Sequence, residues 1–261
     1  MSRQSSSIEK GQVVAVIPAR YGSTRFPGKP LALLRGQPLI AYVVRAAKEA
    51  RRVGEVLVAT DDERIARAAR EAGASVRLTR GDHATGSDRI GEVVQQREEE
   101  LVLNVQGDEP LVRPSAIDRL VELLEEHPQA AVSTLASPLS LLDEAYRDAN
   151  VVKVVCDERG FALYFSRASI PGQRAGLGDT ARDDAPCGLR HVGLYGFRRK
   201  ALLEFLKRPP GRLERVENLE QLRFLESGQR IVVGTIAALP PGVDTPRDLE
   251  RIERQLANDG G

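Results

Sequence analysis

The chain of 261 residues carries 38 basic and 37 acidic side chains, a net charge of +1, and 41% hydrophobic residues. A balance this close to neutral gives no bulk field for nucleic acid or a membrane surface, so any affinity for anions has to be local. The length suits one large domain with a sizeable core, and the composition is neither disordered nor fibrous.

No apolar run approaches the roughly eighteen residues of a spanning helix, and Met1 to Ser7 lacks the apolar core of a signal peptide, which leads us to expect a cytoplasmic protein. Cys156 and Cys187 are too few and too isolated for a zinc site or a disulfide framework, and they read as inert free thiols. Residues 1–11 are expected to form a disordered tail ahead of a single domain over 12–257, and Ala257 to Gly261 to fray.

The first element is a strand, Val13-Val14-Ala15-Val16-Ile17, whose unbroken apolar run suits burial on both faces. The next helical pattern starts only near Pro38, which leaves about twenty residues of loop, and long ordered loops are usually functional. That loop carries Arg20, Arg25 and Lys29 with Gly22 and Gly28, a set able to wrap a polyanionic phosphate; a solvated basic loop is the plain alternative. It is not a Walker A loop, because Gly22 to Gly28 encloses five residues and Pro30 follows Lys29. Nor does Gly-x-Gly-x-x-Gly open a helix here, so the dinucleotide fingerprint is missing from this loop.

Downstream, Leu39, Ile40, Val43, Val44 and Ala47 recur at helical spacing, and Glu55 to Thr60 reads as a strand. A helix over Asp62 to Ala72, a strand at Ser75 to Leu78, and a helix opened by Ser87 with Ile90, Val93 and Val94 on one face continue the alternation. Leu101 to Val105 is the next strand, Pro114-Ser115 opens another helix, and Ala131 to Leu135 follows as a strand. Such alternation implies a doubly wound, mostly parallel sheet with ligands at the carboxyl ends of its strands, where the cationic loop also lies. From about Asn150 the rhythm changes: Val151 to Val155 and Ala162 to Phe165 flank Asp157-Glu158-Arg159-Gly160, a hairpin that begins an antiparallel insertion over 150–190. Pro171 to Pro186 reads as a mobile loop. A strand from His191 to Phe197, helices near Lys200 to Leu206 and Val216 to Glu226, a strand from Ile231 to Ile236 and a helix after Pro246 complete the chain.

Several strand ends carry chemistry. Asp108, in Gln106-Gly107-Asp108-Glu109-Pro110, stands just past a glycine that lets a ligand approach the backbone; it suits a Mg²⁺ ligand or a helix cap equally. Asp244, in Gly242-Val243-Asp244-Thr245-Pro246, repeats the logic, although a plain helix start accounts for it better. The loop His83-Ala84-Thr85-Gly86-Ser87-Asp88-Arg89 can read a base edge or simply cap a helix, with Ser87 as the cap. His191, Gly193 and Tyr195 share one face of their strand and fit a polar pocket wall, though a lone strand histidine is more often structural. Glu217, Glu220, Gln221 and Arg223 lie on one helix, where a solvated charged face is the ordinary expectation.

Taken together, the segments Ile17 to Pro30, Ala59-Thr60-Asp61, Thr79 to Arg89, Asn104 to Pro110, Tyr164 to Arg167, Arg190 to Gly196, Leu219 to Arg223 and Gly242 to Pro246 resemble the 3-deoxy-manno-octulosonate cytidylyltransferases. The resemblance implies a Rossmann-like sheet of the nucleotidyltransferase type and transfer of CMP from CTP to 3-deoxy-D-manno-octulosonate (Kdo), for lipopolysaccharide. It implies Ala19, Arg20, Arg25, Lys29, Arg80, Thr85, Ser87 and Gln106 at the nucleotide, with Arg25, Lys29, Asp108 and Asp244 as the catalytic set. Mg²⁺ would rest on Asp108 and Asp244. Gln106, Arg167, His191, Tyr195, Glu217 and Gln221 would line the sugar pocket, and a homodimer would form through the insertion. Gly172, after Ser169-Ile170-Pro171, stands where the family generally carries an aromatic residue. Cytidylyl transfer to another acidic sugar, such as 8-amino-Kdo or a sialic acid, and an inactive nucleotide-binding regulator are the alternatives.

Overall fold

The computed structural model describes residues 8–22, 26–83, 85–140, 142–172, 188–237, 242–243 and 245–258. Arg25, Asp244, Cys187 and nearly all of the expected mobile loop lie outside the described residues. Within the segment expected as a tail, Ile8 donates its backbone N–H to Glu125 (2.6 Å) and a short 3₁₀ turn spans Lys10–Gln12.

In chain order the elements are β1 (Val13–Ala19), β2 (Leu33–Leu34), β3 (Gln37–Pro38), α1 (Leu39–Glu49), β4 (Glu55–Thr60), α2 (Glu63–Glu71), β5 (Ser75–Leu78) and α3 (Gly86–Val94). They continue with β6 (Leu101–Asn104), α4 (Pro114–Glu126), β7 (Val132–Leu139), α5 (Glu144–Arg147), β8 (Lys153–Cys156), β9 (Ala162–Ser166) and β10 (Gly188–Arg198). The last are α6 (Arg199–Leu206), α7 (Arg212–Glu217), α8 (Leu222–Glu226), β11 (Ile231–Thr235) and α9 (Pro246–Asn258). The main sheet runs β11-β7-β10-β6-β1-β4-β5, with β8 paired to β10 and β9 to β8.

Strand β1 sits centrally between β4 and β6, parallel to both. Its alternation divides the core into two layers: Val13, Ala15 and Ile17 pack toward Ile40, Val43, Ile117 and Leu120, while Val14 and Val16 pack toward Ile90, Val94, Leu202 and Phe205. All five residues from Val13 to Ile17 are essentially inaccessible, as a strand covered by helices on both faces must be. The parallel register brings the ends of β1, β4 and β6 to one edge. The cationic loop, Asp61 and Asp108 therefore emerge together at the carboxyl ends of the strands.

Strand β10 is the departure from parallel order: it runs antiparallel to β6, β7 and β8. Because it reverses direction, its first half lies at the same edge as the ends of β1 and β6. The register on β7 shifts between Val192 and Tyr195, a bulge of the kind that re-aims side chains. The predicted hairpin is present as β8 and β9, and it extends the sheet through β10 rather than standing apart.

Four expectations need correction. The long loop after β1 contains a 3₁₀ turn at Lys29–Leu31 and a small hairpin of β2 and β3. Gly28 opens that turn at φ 69°, and a Cβ there would meet the Tyr21 ring at 2.9 Å, so glycine is needed both for the backbone and for the fit. The N-cap of α3 is Thr85 instead of Ser87: Thr85 Oγ1 accepts from the Asp88 N–H at 3.1 Å, and Asp88 accepts from the Thr85 N–H at 3.2 Å. The single helix expected over Val216 to Glu226 is two short ones, because Asn218 takes the left-handed conformation (φ 52°, ψ 51°) and closes α7. Nor is that face solvated, since Glu214, Gln221 and Arg223 are buried.

Candidate active site

Two halves meet at the strand ends. On the nucleotide side, the β1 loop is closed by the Gly28 N–H donating to the Tyr21 carbonyl at 2.9 Å. The closure presents Lys29, whose Nζ lies 2.5 Å from Asp108 Oδ2. Ala19 is buried under the loop, whereas Arg20 and Arg80 are exposed and accessible to an anion. The Asp108 side chain is 32% exposed, so one face of the carboxylate is open. The Asp108 carbonyl accepts from the Val243 N–H at 2.9 Å, which brings the chain before Asp244 against the same turn.

Glu109 is the nearest addition to this set. Burial, reinforced by repulsion from the Asp108 carboxylate and opposed by Arg190, pushes its carboxyl up to about 7. Burial is the larger cause, so the Glu109 carboxyl is kept partly protonated beside an Asp108 that is paired with Lys29. Carboxylate oxygens with one open face fit a hard divalent cation. Among the described residues, three or more metal-binding side chains do not gather at one place, and Asp244 lies outside them.

The second half is a cavity of about 420 Å³ whose lining includes Gln106, His191, Tyr195, Gln221 and Ser87 of α3. Gln106 donates to Asn104 Oδ1 at 3.1 Å, which fixes its amide. The His191 Nε2 is 2.9 Å from Thr134 Oγ1, and its ring meets Phe165 edge-on with centroids 5.0 Å apart. Burial pushes His191 down to about 3, so the wall it forms is a neutral hydrogen-bonding one. The Tyr195 phenol is driven up by burial and then by Glu220 and Glu109, and it stays protonated.

The structure brings Gln106, His191, Tyr195 and Gln221 together in that lining, while Arg167 and Glu217 stand beside it, next to the lining residue Asn218. Glu217 accepts from Ser166 Oγ at 2.7 Å and from the Arg167 N–H at 2.9 Å. Arg167 donates to the carbonyls of Glu217 (2.8 Å), Ala149 (3.1 Å) and Asn218 (3.4 Å), which ties the end of β9 to α7 and leaves two of its five N–H groups for other partners. Glu220 lines the pocket instead, one turn from Glu217. Burial raises its pKa, and hydrogen bonds from Ser87 and Thr85 oppose the rise. Arg190, Glu109 and Glu220 were not assigned from the sequence. Their signal was adjacency to His191, Asp108 and Gln221, and only the bulge in β10 and the break at Asn218 settle which neighbour faces inward.

Fold and site together define a nucleotidyltransferase of the Rossmann-like type: an open sheet, a cationic loop after its central strand, and acids at the adjoining strand ends. A nucleotidyl transferase from Methanothermobacter thermautotroptrophicus shares the fold, with a TM-score of 0.60 at 18% identity over 95% of this chain and 98% of its own. A family profile described as cytidylyltransferase matches residues 14–231. The 3-deoxy-manno-octulosonate cytidylyltransferase of Syntrophotalea carbinolica is 50% identical over 246 residues, 94% of this chain and 98% of the relative. That of an Anaeromyxobacter species is 52% identical over 248 residues, with 94% and 97% covered. A CMP:2-keto-3-deoxy-manno-octonic acid synthetase solved in complex with CTP superposes with a TM-score of 0.87 at 40% identity, covering 95% of this chain and 99% of its own. The chain belongs to the cytidylyltransferase family, among the 3-deoxy-manno-octulosonate cytidylyltransferases.

Proposed function

We propose that the protein transfers CMP from CTP to the anomeric hydroxyl of 3-deoxy-D-manno-octulosonate, releasing pyrophosphate and forming the activated sugar used in lipopolysaccharide assembly. The observation that carries this reading is the placement of the Lys29–Asp108 pair and of a polar pocket that also holds Arg190 and Glu220 at one edge of the sheet. The cationic loop suits a triphosphate, and the pocket's hydroxyl, amide and imidazole groups suit a polyhydroxylated acceptor.

Attack of a hydroxyl on an α-phosphate needs alignment and charge neutralisation more than covalent help. Arg20 and Lys29 receive the triphosphate and take up charge on the departing pyrophosphate, joined by Arg25 from outside the described residues. Arg80, Thr85 and Ser87 stand at the base. Gln106, His191, Tyr195, Glu220 and Gln221 orient the sugar so that its hydroxyl faces the phosphorus opposite the leaving group. The Asp108 carboxylate, with Asp244, would hold Mg²⁺. When bound, that ion supplies charge neutralisation between the anionic sugar and the phosphate. The working form is a cytoplasmic homodimer, with the 150–190 insertion at its contact.

Pyrophosphate release is measured with CTP, Mg²⁺ and either Kdo, 8-amino-Kdo or a sialic acid, and repeated with Asp108→Ala and Asp244→Ala. Turnover with Kdo that both variants abolish is the expected result. Preference for either other sugar reassigns the acceptor; binding of CTP without turnover on any sugar makes the protein a regulator.

A further inference from the structure

The two nucleotide loops are joined beneath the site by a buried ion pair to which neither the reaction nor the family resemblance assigns a role. Arg89, on the second turn of α3, is 3% exposed, and its partner Asp61, just past β4, is 19% exposed. Arg89 Nη2 donates to Asp61 Oδ2 at 3.1 Å. Its Nη1 donates to the Arg80 carbonyl at 3.2 Å and to Thr79 Oγ1. The other Asp61 oxygen faces the phosphate loop, accepting from the Tyr21 N–H at 3.4 Å. Tyr21 in turn closes the loop through Gly28, next to Lys29, and its ring lies under the Arg64 guanidinium at 3.8 Å. A continuous path therefore runs from the backbone of Arg80 through Arg89 and Asp61 to the backbone of Tyr21.

We propose that Asp61 and Arg89 are positioning residues: a brace that fixes the distance between the loop for the triphosphate and the loop for the base. This rests on the assignment of those loops given above. One ligand held at two places gains affinity because its second contact is intramolecular, and that gain depends on the spacing of the two places. Loosening the brace therefore penalises the linked ligand while sparing its halves. Glu92 supports the base loop separately, accepting from the Arg80 N–H at 3.3 Å and meeting His83 Nε2 at 2.5 Å, so the loop itself survives loss of the brace.

The test compares wild type, Asp61→Ala, Asp61→Asn and Arg89→Lys. Binding of CTP is measured by titration calorimetry, and CMP and inorganic triphosphate are measured as competitors of CTP; melting temperature and the KM for Kdo are recorded beside them. The brace predicts that Asp61→Ala weakens CTP by about tenfold. CMP, triphosphate and the KM for Kdo stay within about twofold, and Asp61→Asn, which keeps an acceptor for Tyr21, recovers part of the loss. Equal weakening of CTP and both halves, or CTP affinity unchanged in Asp61→Ala and Arg89→Lys, overturns the proposal. A wild type that binds no CTP overturns the assignment of the loops instead.

Discussion

Acidification from pH 7 to pH 5 should destabilise the protein through His191 by about 2 kcal/mol. The unfolded imidazole titrates near 6.5, whereas burial against Phe165 and Thr134 pushes the folded one down to about 3. The folded state therefore binds fewer protons than the unfolded state, and the stabilising contribution is complete above the unfolded pKa. It is lost as the pH falls from about 6.5 toward 3. At pH 5 the unfolded chain gains about 1.5 units of protonation free energy at roughly 1.4 kcal/mol per unit, and this holds for any folded value well below 5. Urea unfolding of wild type and His191→Gln at both pH values isolates the group, because every other titration is common to the two proteins. The stability difference between wild type and variant should shrink by about 2 kcal/mol at pH 5. A difference that stays constant within about 0.5 kcal/mol would show that His191 is open to water and would refute a neutral wall.

Glu109 runs the other way: its folded pKa is raised to about 7 by burial and by Asp108, so its stabilising contribution exists at low pH and is lost as the pH rises through that value. Without divalent metal, Glu109→Gln should therefore stabilise the protein by about 3 kcal/mol at pH 8 and by little at pH 4, read from urea midpoints. Arg223→Met leaves the Glu214 carboxylate buried without its 2.6 Å partner and should cost about 3 kcal/mol, whereas Arg223→Met with Glu214→Leu should recover most of it. Gly196→Ala places a methyl 2.5 Å from Ser133 Oγ and 3.4 Å from the Leu120 Cβ, in the last part of β10. A loss of about 2 kcal/mol, with a lowered melting temperature, is expected, and an unchanged melting temperature would mean the sheet can shift there.

The parallel half of the fold was readable because its strands are covered on both faces and leave continuous apolar runs such as Val13 to Ile17. The site was readable where function imposes composition, as with Lys29 and Asp108, which the structure joins at 2.5 Å. What escaped depends on geometry that leaves no periodic trace. A single left-handed residue at Asn218 turns an apparent amphipathic helix into two pieces and exchanges Glu217 for Glu220 in the pocket. Arg167, put at the sugar by the family resemblance alone, donates to the carbonyls of Glu217, Ala149 and the pocket-lining Asn218, contacts that no sequence pattern announces. Hydrogen bonding of that kind is decided by tertiary placement, which local pattern does not encode.

The break at Asn218 has one more consequence. Glu214 before it and Arg223 after it clasp each other, so residues 218–221 form a short loop whose ends are pinned independently of its contents. Two side chains that line the cavity, Glu220 and Gln221, thus stand on a removable tile set in a fixed frame. Exchange of those few positions offers a route by which such an enzyme could be retuned, in evolution or in the laboratory, to a new acceptor while its nucleotide half is left untouched.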